Sequence, residues 1–248
     1  MFPTYFFMWP GRSLYFGPLQ HLEPRLHAAP VLLVGLYRPF RIRINQGECI
    51  SCRCGIVPAG MLHELDLEGN VLAKLFIERD SPDYEAFRQR FPYALNAFQA
   101  FDDADIVELF VKIYEESPAK EAIHKLIETL IPPYTENLPL LHPRLISVMD
   151  LLRQEPEQNH SQLQIANLAN LSTSRLLHLF KAETGVPYRR YRIWKRLGVA
   201  IYTMSQTDCM TRSAMDAGFS DASHFSHCFK DVFGANPSYV FKRVSRLE

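Results

Sequence analysis

The tightest constraint on the fold is a pattern written twice in the last third of the chain. Ala166-Asn-Leu-Ala-Asn170-Leu171-Ser172, followed by Leu176, Phe180-Lys181, Gly185 and Pro187, returns as Ala214-Met-Asp-Ala-Gly218-Phe219-Ser220, followed by Phe225, Phe229-Lys230, Gly234 and Pro237. Equivalent positions lie 48 residues apart up to the Ser, 49 apart from Leu176/Phe225 to the Gly, and 50 apart at the Pro. One-residue slips at loops, with the pattern kept between them, are what a duplicated supersecondary unit leaves in a sequence.

Each copy has a mechanical reading. Ala166 and Ala214 are small residues within a short helix that a second helix must approach closely. Asn170 and Gly218 tolerate positive φ, so they can end that helix and turn the chain. Ser172 and Ser220 follow as N-caps for the next helix. That helix carries Leu176, Leu179 and Phe180 in the first copy and Phe225, Phe229 and Phe233 in the second, an apolar stripe at helical spacing. Gly185 or Gly234 stops it, with Pro close behind. The unit is therefore helix, tight turn, helix. The opposite face holds Ser172, Thr173, Ser174, Arg175, His178 and Lys181 in one copy and Asp221, Ala222, Ser223, His224, His227 and Lys230 in the other. Arg, His, Ser and Thr can donate to base edges or phosphates, and Ala can touch a thymine methyl, so both faces suit the major groove of double-stranded DNA. A merely solvated helix face explains either copy alone; its recurrence in the same pattern points to DNA.

Residues 141–248 resemble the DNA-binding domain of AraC/XylS-type transcription regulators. The long helix that joins the family's tandem units corresponds to Tyr188–Met204, with the family's Tyr, Arg-Leu and Ala matched by Tyr191, Arg196-Leu197 and Ala200. The run from Gly218 through Phe219, Ser220, Asp221, Ala222, Ser223, His224 and Phe225 to Phe229-Lys230 is the most specific match. Ser213-Ala214 stands where the family has Ile-Ala, Arg212 replaces an acidic residue, and Gly198 interrupts the joining helix at about 1 kcal/mol relative to Ala. The resemblance implies RNA polymerase as a further partner, an unknown small-molecule effector and a possible homodimer.

Charge divides the chain. Residues 1–140 hold 13 Lys and Arg against 18 Asp and Glu, and residues 141–248 hold 14 against 9, so only the second part has the basic balance that phosphate contact asks for. The expected organisation is α+β: residues 1–131 as an effector and dimerisation domain (strands over 1–80, helices over 83–131), residues 132–140 as a proline-rich linker, and residues 141–248 as an all-α tandem helix-turn-helix domain. Met1–Trp9 with Pro10-Gly11 and Leu14-Tyr15-Phe16 reads as a β-hairpin rather than a signal peptide. No apolar run is long enough to span a bilayer, and a cytoplasmic location without membrane partners is expected. The spaced short strands suggest a small barrel or sandwich, and Gly55–Leu65, with its Pro58-x-Gly60 turn, is similar to cupin-like sensor domains, which makes the barrel the expected form.

Candidate effector contacts are Arg41, Arg43 and His63. The arginines share a strand face and either pair an anionic effector inside the barrel or sit solvated outside it. His63 either lines a pocket or is a hydrogen-bonded structural residue. Cys49, Cys52 and Cys54 are expected on a strand, with Cys52 and Cys54 sharing a buried face with Ile50 and Ile56. No metal ligand cluster, cofactor motif or catalytic set stands out, so neither cofactor nor enzymatic activity is expected. The alternative is a cupin-like enzyme, or a cysteine-based metal or redox sensor, fused to the DNA-binding domain.

Overall fold

The computed structural model describes residues 2–18, 21–92, 97–132, 141–207 and 209–248. The chain is an α+β protein. Strands β1 (Thr4–Trp9) and β2 (Arg12–Pro18) form the expected hairpin, with Tyr5 opposite Phe16 and Gly11 at φ +77° in the turn. Then come β3 (His21–Arg25), β4 (Val31–Gly35), β5 (Phe40–Ile44), β6 (Cys49–Cys52), β7 (Cys54–Val57), β8 (His63–Asp66) and β9 (Val71–Ile77).

These strands do not close into the expected barrel. They make a seven-stranded sheet, ordered β10-β7-β4-β9-β2-β1-β11 once β10 (Gln99–Phe101) and β11 (Val244–Leu247) are included, and a separate four-stranded sheet, β3-β8-β5-β6. The crossing between sheets falls inside the cysteine run. Arg53 donates to the carbonyls of Gly35 and Leu36, each at 2.6 Å, and fixes the point where the chain leaves β6 and enters β7. Cys52 and Cys54 therefore lie in different cores, and Ile50 is exposed rather than buried with them.

One face of the large sheet is covered by α1 (Asp83–Arg90), α2 (Ala104–Glu116) and α3 (Lys120–Leu130). Alternation along the strands sends Phe7, Leu14, Phe16, Leu32 and Leu75 to this side, where they meet Phe87, Ile106, Phe110, Ile113, Ile123 and Ile127. The apolar stripes of α2 and α3 are thus covered by the sheet. β10 also interrupts the stretch expected to be helical throughout 83–131. The expected linker falls almost wholly on residues 133–140, outside the described residues.

The other face of the large sheet looks toward the small sheet and the C-terminal helices: α4 (Pro143–Gln154), α5 (Gln162–Leu168), α6 (Thr173–Thr184), α7 (Tyr188–Thr207), α8 (Met210–Asp216), α9 (Ala222–Phe233) and α10 (Pro237–Phe241). Phe6, Leu33, Leu65 and Phe76 share one hydrophobic core with Leu145, Phe180, Trp194, Phe225 and Val232, so the two halves are not separately packed bodies. β11 completes the union by pairing in parallel with β1. No helix among the described residues is long and apolar enough to cross a membrane.

Candidate nucleic-acid interface

The two helix-turn-helix units are built by the same backbone bonds. Asn170 N–H donates to Asn167 O and Leu171 N–H to Ala166 O; Gly218 N–H donates to Met215 O and Phe219 N–H to Ala214 O. This is the paired bonding of a helix that ends in a left-handed residue, and Asn170 (φ +51°) and Gly218 (φ +84°) hold that conformation. Only glycine fits at the second turn, because a Cβ on Gly218 would lie 2.3 Å from the Glu157 carbonyl oxygen. Gly185 and Gly234 end α6 and α9 in the same left-handed geometry.

The caps differ from expectation in one copy. Ser172 caps α6, accepting from Arg175 N–H, but the cap of α9 is Asp221, which accepts from His224 N–H at 2.8 Å. Ser220 sits one residue earlier and donates its hydroxyl to Asp221. The slip from 48 to 49 residues therefore lies at the cap itself, and the structural equivalents are Ser172/Asp221, Thr173/Ala222, Ser174/Ser223, Arg175/His224, His178/His227 and Lys181/Lys230. The Ser220 N–H and the Asp221 side chain are thereby engaged in forming the helix start.

Leu176 and Phe180 on α6, and Phe225, Cys228, Phe229 and Val232 on α9, are buried, which leaves the expected reading faces outward. Ser174, Arg175, His178 and Lys181 are exposed, as are Ser223, His227 and Lys230; Thr173, Ala222 and His224 are half-buried. The heads are not equally free. Among the described residues nothing pairs with the Arg175, His178 or Lys181 side chains, whereas the His224 ring turns back to the Ser220 N–H and hydroxyl and packs edge-on against Phe219. Lys230 pairs with Glu23 at 3.3 Å, an exposed ion pair of the kind that contributes about 0–1 kcal/mol.

Two basic residues of the joining helix, Lys195 and Arg196, turn inward. Arg196 donates to the carbonyls of Pro156, Glu157 and Gln158 and so pins the loop that Gly218 abuts. Lys195 pairs with Glu78 and Asp80, Tyr191 donates to Asp80 at 2.8 Å, Trp194 Nε1 donates to Glu78 at 2.8 Å, and Arg153 reaches Asp80 at 3.1 Å. Burial alone would lower the Lys195 pKa and raise that of Asp80; the surrounding charges outweigh it and hold Lys195 above and Asp80 below their ordinary values. A second clamp closes at the end of α6, where Arg79 bonds Glu183 and a Cβ on Gly60 would meet the Gly185 carbonyl at 2.3 Å. The Pro58-x-Gly60 turn thus seats on the first reading helix. The sequence alone gave no sign of Glu78, Asp80 or Arg79 in these roles.

Of the expected effector residues, Arg41 and Arg43 lie on the outer face of β5, ion-paired with Asp66 and Glu68 and with Glu64. They do not face the interior. His63 does: it is 1% exposed, its Nδ1 is 2.9 Å from the Met61 carbonyl, and its Nε2 has no partner. The His27 ring stands 4.8 Å from it, with both nitrogens likewise unpartnered. Burial, then neighbouring Arg25, holds His63 down to about 3, and burial with His63 and Arg25 holds His27 well below its ordinary value. Cys52 and Cys54 are buried, their thiols pushed up to about 12 and about 11 by desolvation, which disfavours the reactive thiolate. Among the described residues no three His, Cys, Asp or Glu side chains are grouped to hold a metal ion.

A model of the helix-turn-helix domain family matches residues 165–243. The arabinose operon regulatory protein of Escherichia coli (strain K12) is 35% identical over 82 residues, 32% of this chain and 28% of that protein. The matched stretches span less than half the length of the curated relatives. The crystal structure of an apo ToxT variant from Vibrio cholerae strain SCE256 superposes with a TM-score of 0.68 at 11% identity, over 94% of this chain and 98% of that one. Wild-type ToxT of the same strain bound to an unsaturated fatty acid does so with a TM-score of 0.60 at 13% identity, over 94% and 95%. Residues 165–243 are accordingly a helix-turn-helix domain, carried by a chain that shares the ToxT fold over nearly its whole length.

Proposed function

We propose that this chain is a sequence-specific DNA-binding transcription regulator whose helices α6 and α9 enter successive major-groove segments, under the control of a small molecule bound by the N-terminal half. The observation that carries the reading is the doubled turn-and-cap geometry, which leaves Ser174, Arg175, His178 and Lys181 on α6, and Ser223, His227 and Lys230 on α9, exposed opposite the buried stripe of each helix. The basic balance of residues 141–248 supplies attraction to phosphate. The fatty-acid-bound ToxT structure supports a small-molecule input for this fold. RNA polymerase and a second copy of the chain are partners within the same reading.

The two heads contribute unequally, because α6 presents unpaired side chains while His224 and Lys230 are already engaged. Footprinting on genomic fragments should return a two-part site whose halves are about one helical turn apart, roughly 10 base pairs. On that site Arg175→Ala should weaken binding by about 1–3 kcal/mol and relax preference at one base position, whereas His224→Ala should change it less. Equal binding to bulk competitor and to every fragment would sink the proposal.

A further inference from the structure

Two buried cations have no acid beside them. Arg25 on β3 is 2% exposed and Lys74 on β9 is 4% exposed. Arg25 gives one bond, from Nη1 to the Glu23 carbonyl, while its Nε and Nη2 have no partner among the described residues; the Glu23 carboxylate is turned to Lys230 instead. Among the same residues the Lys74 ammonium meets only the Tyr15 ring, at 5.6 Å, and burial raises the Tyr15 pKa, so that phenol supplies no negative charge. Lysine and arginine are almost never buried to this degree unless paired. Burial, with the charge of Arg25 added, lowers the Lys74 pKa, so this amine can shed its proton. Arg25 cannot: burial draws it down to about 9, and it is still a cation at neutrality.

The groups around them do not supply the missing charge. His27 and His63 are each 1% exposed and are kept neutral by burial. A neutral His63 with Nδ1 2.9 Å from the Met61 carbonyl donates there and keeps a lone pair on Nε2. His27, its ring 4.8 Å from that of His63, has one N–H and one lone pair, neither with a partner among the described residues. Water would satisfy donors but leave the charge, and a buried charge without a counter-charge is strongly unfavourable. A metal cation would add to the charge. What remains is an anion, and the space sets its size. Beside Lys74, between Tyr15, Phe76, Phe229 and Phe233, the room open to a water-sized guest is about 30 Å³, enough for a single atomic ion and too little for an organic chain.

We infer that a chloride-sized inorganic monoanion is buried between the two sheets, held by Nε and Nη2 of Arg25 and by the Lys74 ammonium. The ion keeps Lys74 protonated and takes the free N–H of His27. Arg25 belongs to the four-stranded sheet and Lys74 to the seven-stranded one, so the ion bridges them. The Arg25 side chain also lies against Gly234, where α9 ends, which brings the support of the second head into the same cluster. The ion site needs no DNA and no organic signal molecule, so failure of the regulator reading leaves it standing.

Thermal melting of the full chain at constant ionic strength, with gluconate exchanged stepwise for chloride or bromide, tests this. The wild-type melting temperature should climb with halide concentration, as for any ligand bound by the folded state alone. Lys74→Met and Arg25→Met should lose that climb, and in gluconate Lys74→Met should melt above the wild type, because it removes an unpaired buried cation. Arg41→Ala, on the outer face, should keep the wild-type response. Crystals grown in bromide should carry a buried anomalous peak within hydrogen-bonding reach of Arg25 and Lys74, a readout that needs no variant to fold. An equal halide response in wild type and Lys74→Met would reduce the effect to surface screening. A wild-type melting temperature indifferent to halide, or bromide peaks confined to the surface, would leave the two cations without their ion; each of these results overturns the inference.

Discussion

Single residues decide where this molecule is rigid and where it is costly. His63 and His27 are kept neutral by burial, so protonation favours the unfolded chain. For a base whose folded pKa lies below its unfolded value of about 6.5, stability is complete above that value and drains as pH falls toward the folded one. For His63 the window runs from about 6.5 down to about 3, at about 1.4 kcal/mol per pH unit. The urea midpoint should therefore drop between pH 7 and pH 5, and drop less in His63→Gln; coincident midpoints in the wild type would contradict the burial argument. Asp80, held below its ordinary value, acts only at lower pH and does not confuse this range. At this scale the sequence was legible wherever geometry demands a residue type, as at Asn170, Gly218, Gly185 and Gly234. It misled at Ser220, because Ser and Asp cap equally well and only the backbone decides which of two neighbours does so. The sign that was present and passed over is Lys74, a cation in the middle of an apolar central strand, where local pattern and fold conflict.

Among the elements, the helices of the second half were the most readable, since their stripes, stops and spacing repeat. The joining helix α7 runs from Tyr188 as expected and continues to Thr207. Gly198 lies within it, and a Cβ there would meet only the Met8 terminal methyl at 3.8 Å, ordinary van der Waals contact. Gly198→Ala should therefore stabilise the protein by about 1 kcal/mol through helix propensity, read as a higher urea midpoint with an unchanged denaturant slope. An unchanged or lowered midpoint would mean that the helix needs that position for something other than its own stability. The strands were less readable. Alternation tells which residues share a face but not which sheet a strand joins, so the break at Arg53 that sends β6 and β7 to different sheets left no periodic trace. Three-residue β10 is likewise shorter than the window of about 11 residues over which periodicity can be counted.

For the whole molecule, charge segregation pointed to two halves with different tasks, and it concealed how closely they join. The contacts between Glu78, Arg79 and Asp80 and the side chains of Arg153, Glu183, Tyr191, Trp194 and Lys195 bring together residues far apart in the chain, which no motif or period records. With one core running through both halves, calorimetry should show a single unfolding endotherm whose calorimetric and van't Hoff enthalpies agree. Two resolved endotherms would mean that the halves melt independently. Such a union also governs what happens if the halves part. β11, short and carrying Arg246, lies along the aromatic strand β1 and occupies the hydrogen-bonding edge that Tyr5, Phe6 and Phe7 would otherwise offer to other molecules. Any rearrangement that frees the C-terminal half by peeling away this last strand would expose an adhesive border, so in this protein opening and self-association are two outcomes of the same movement.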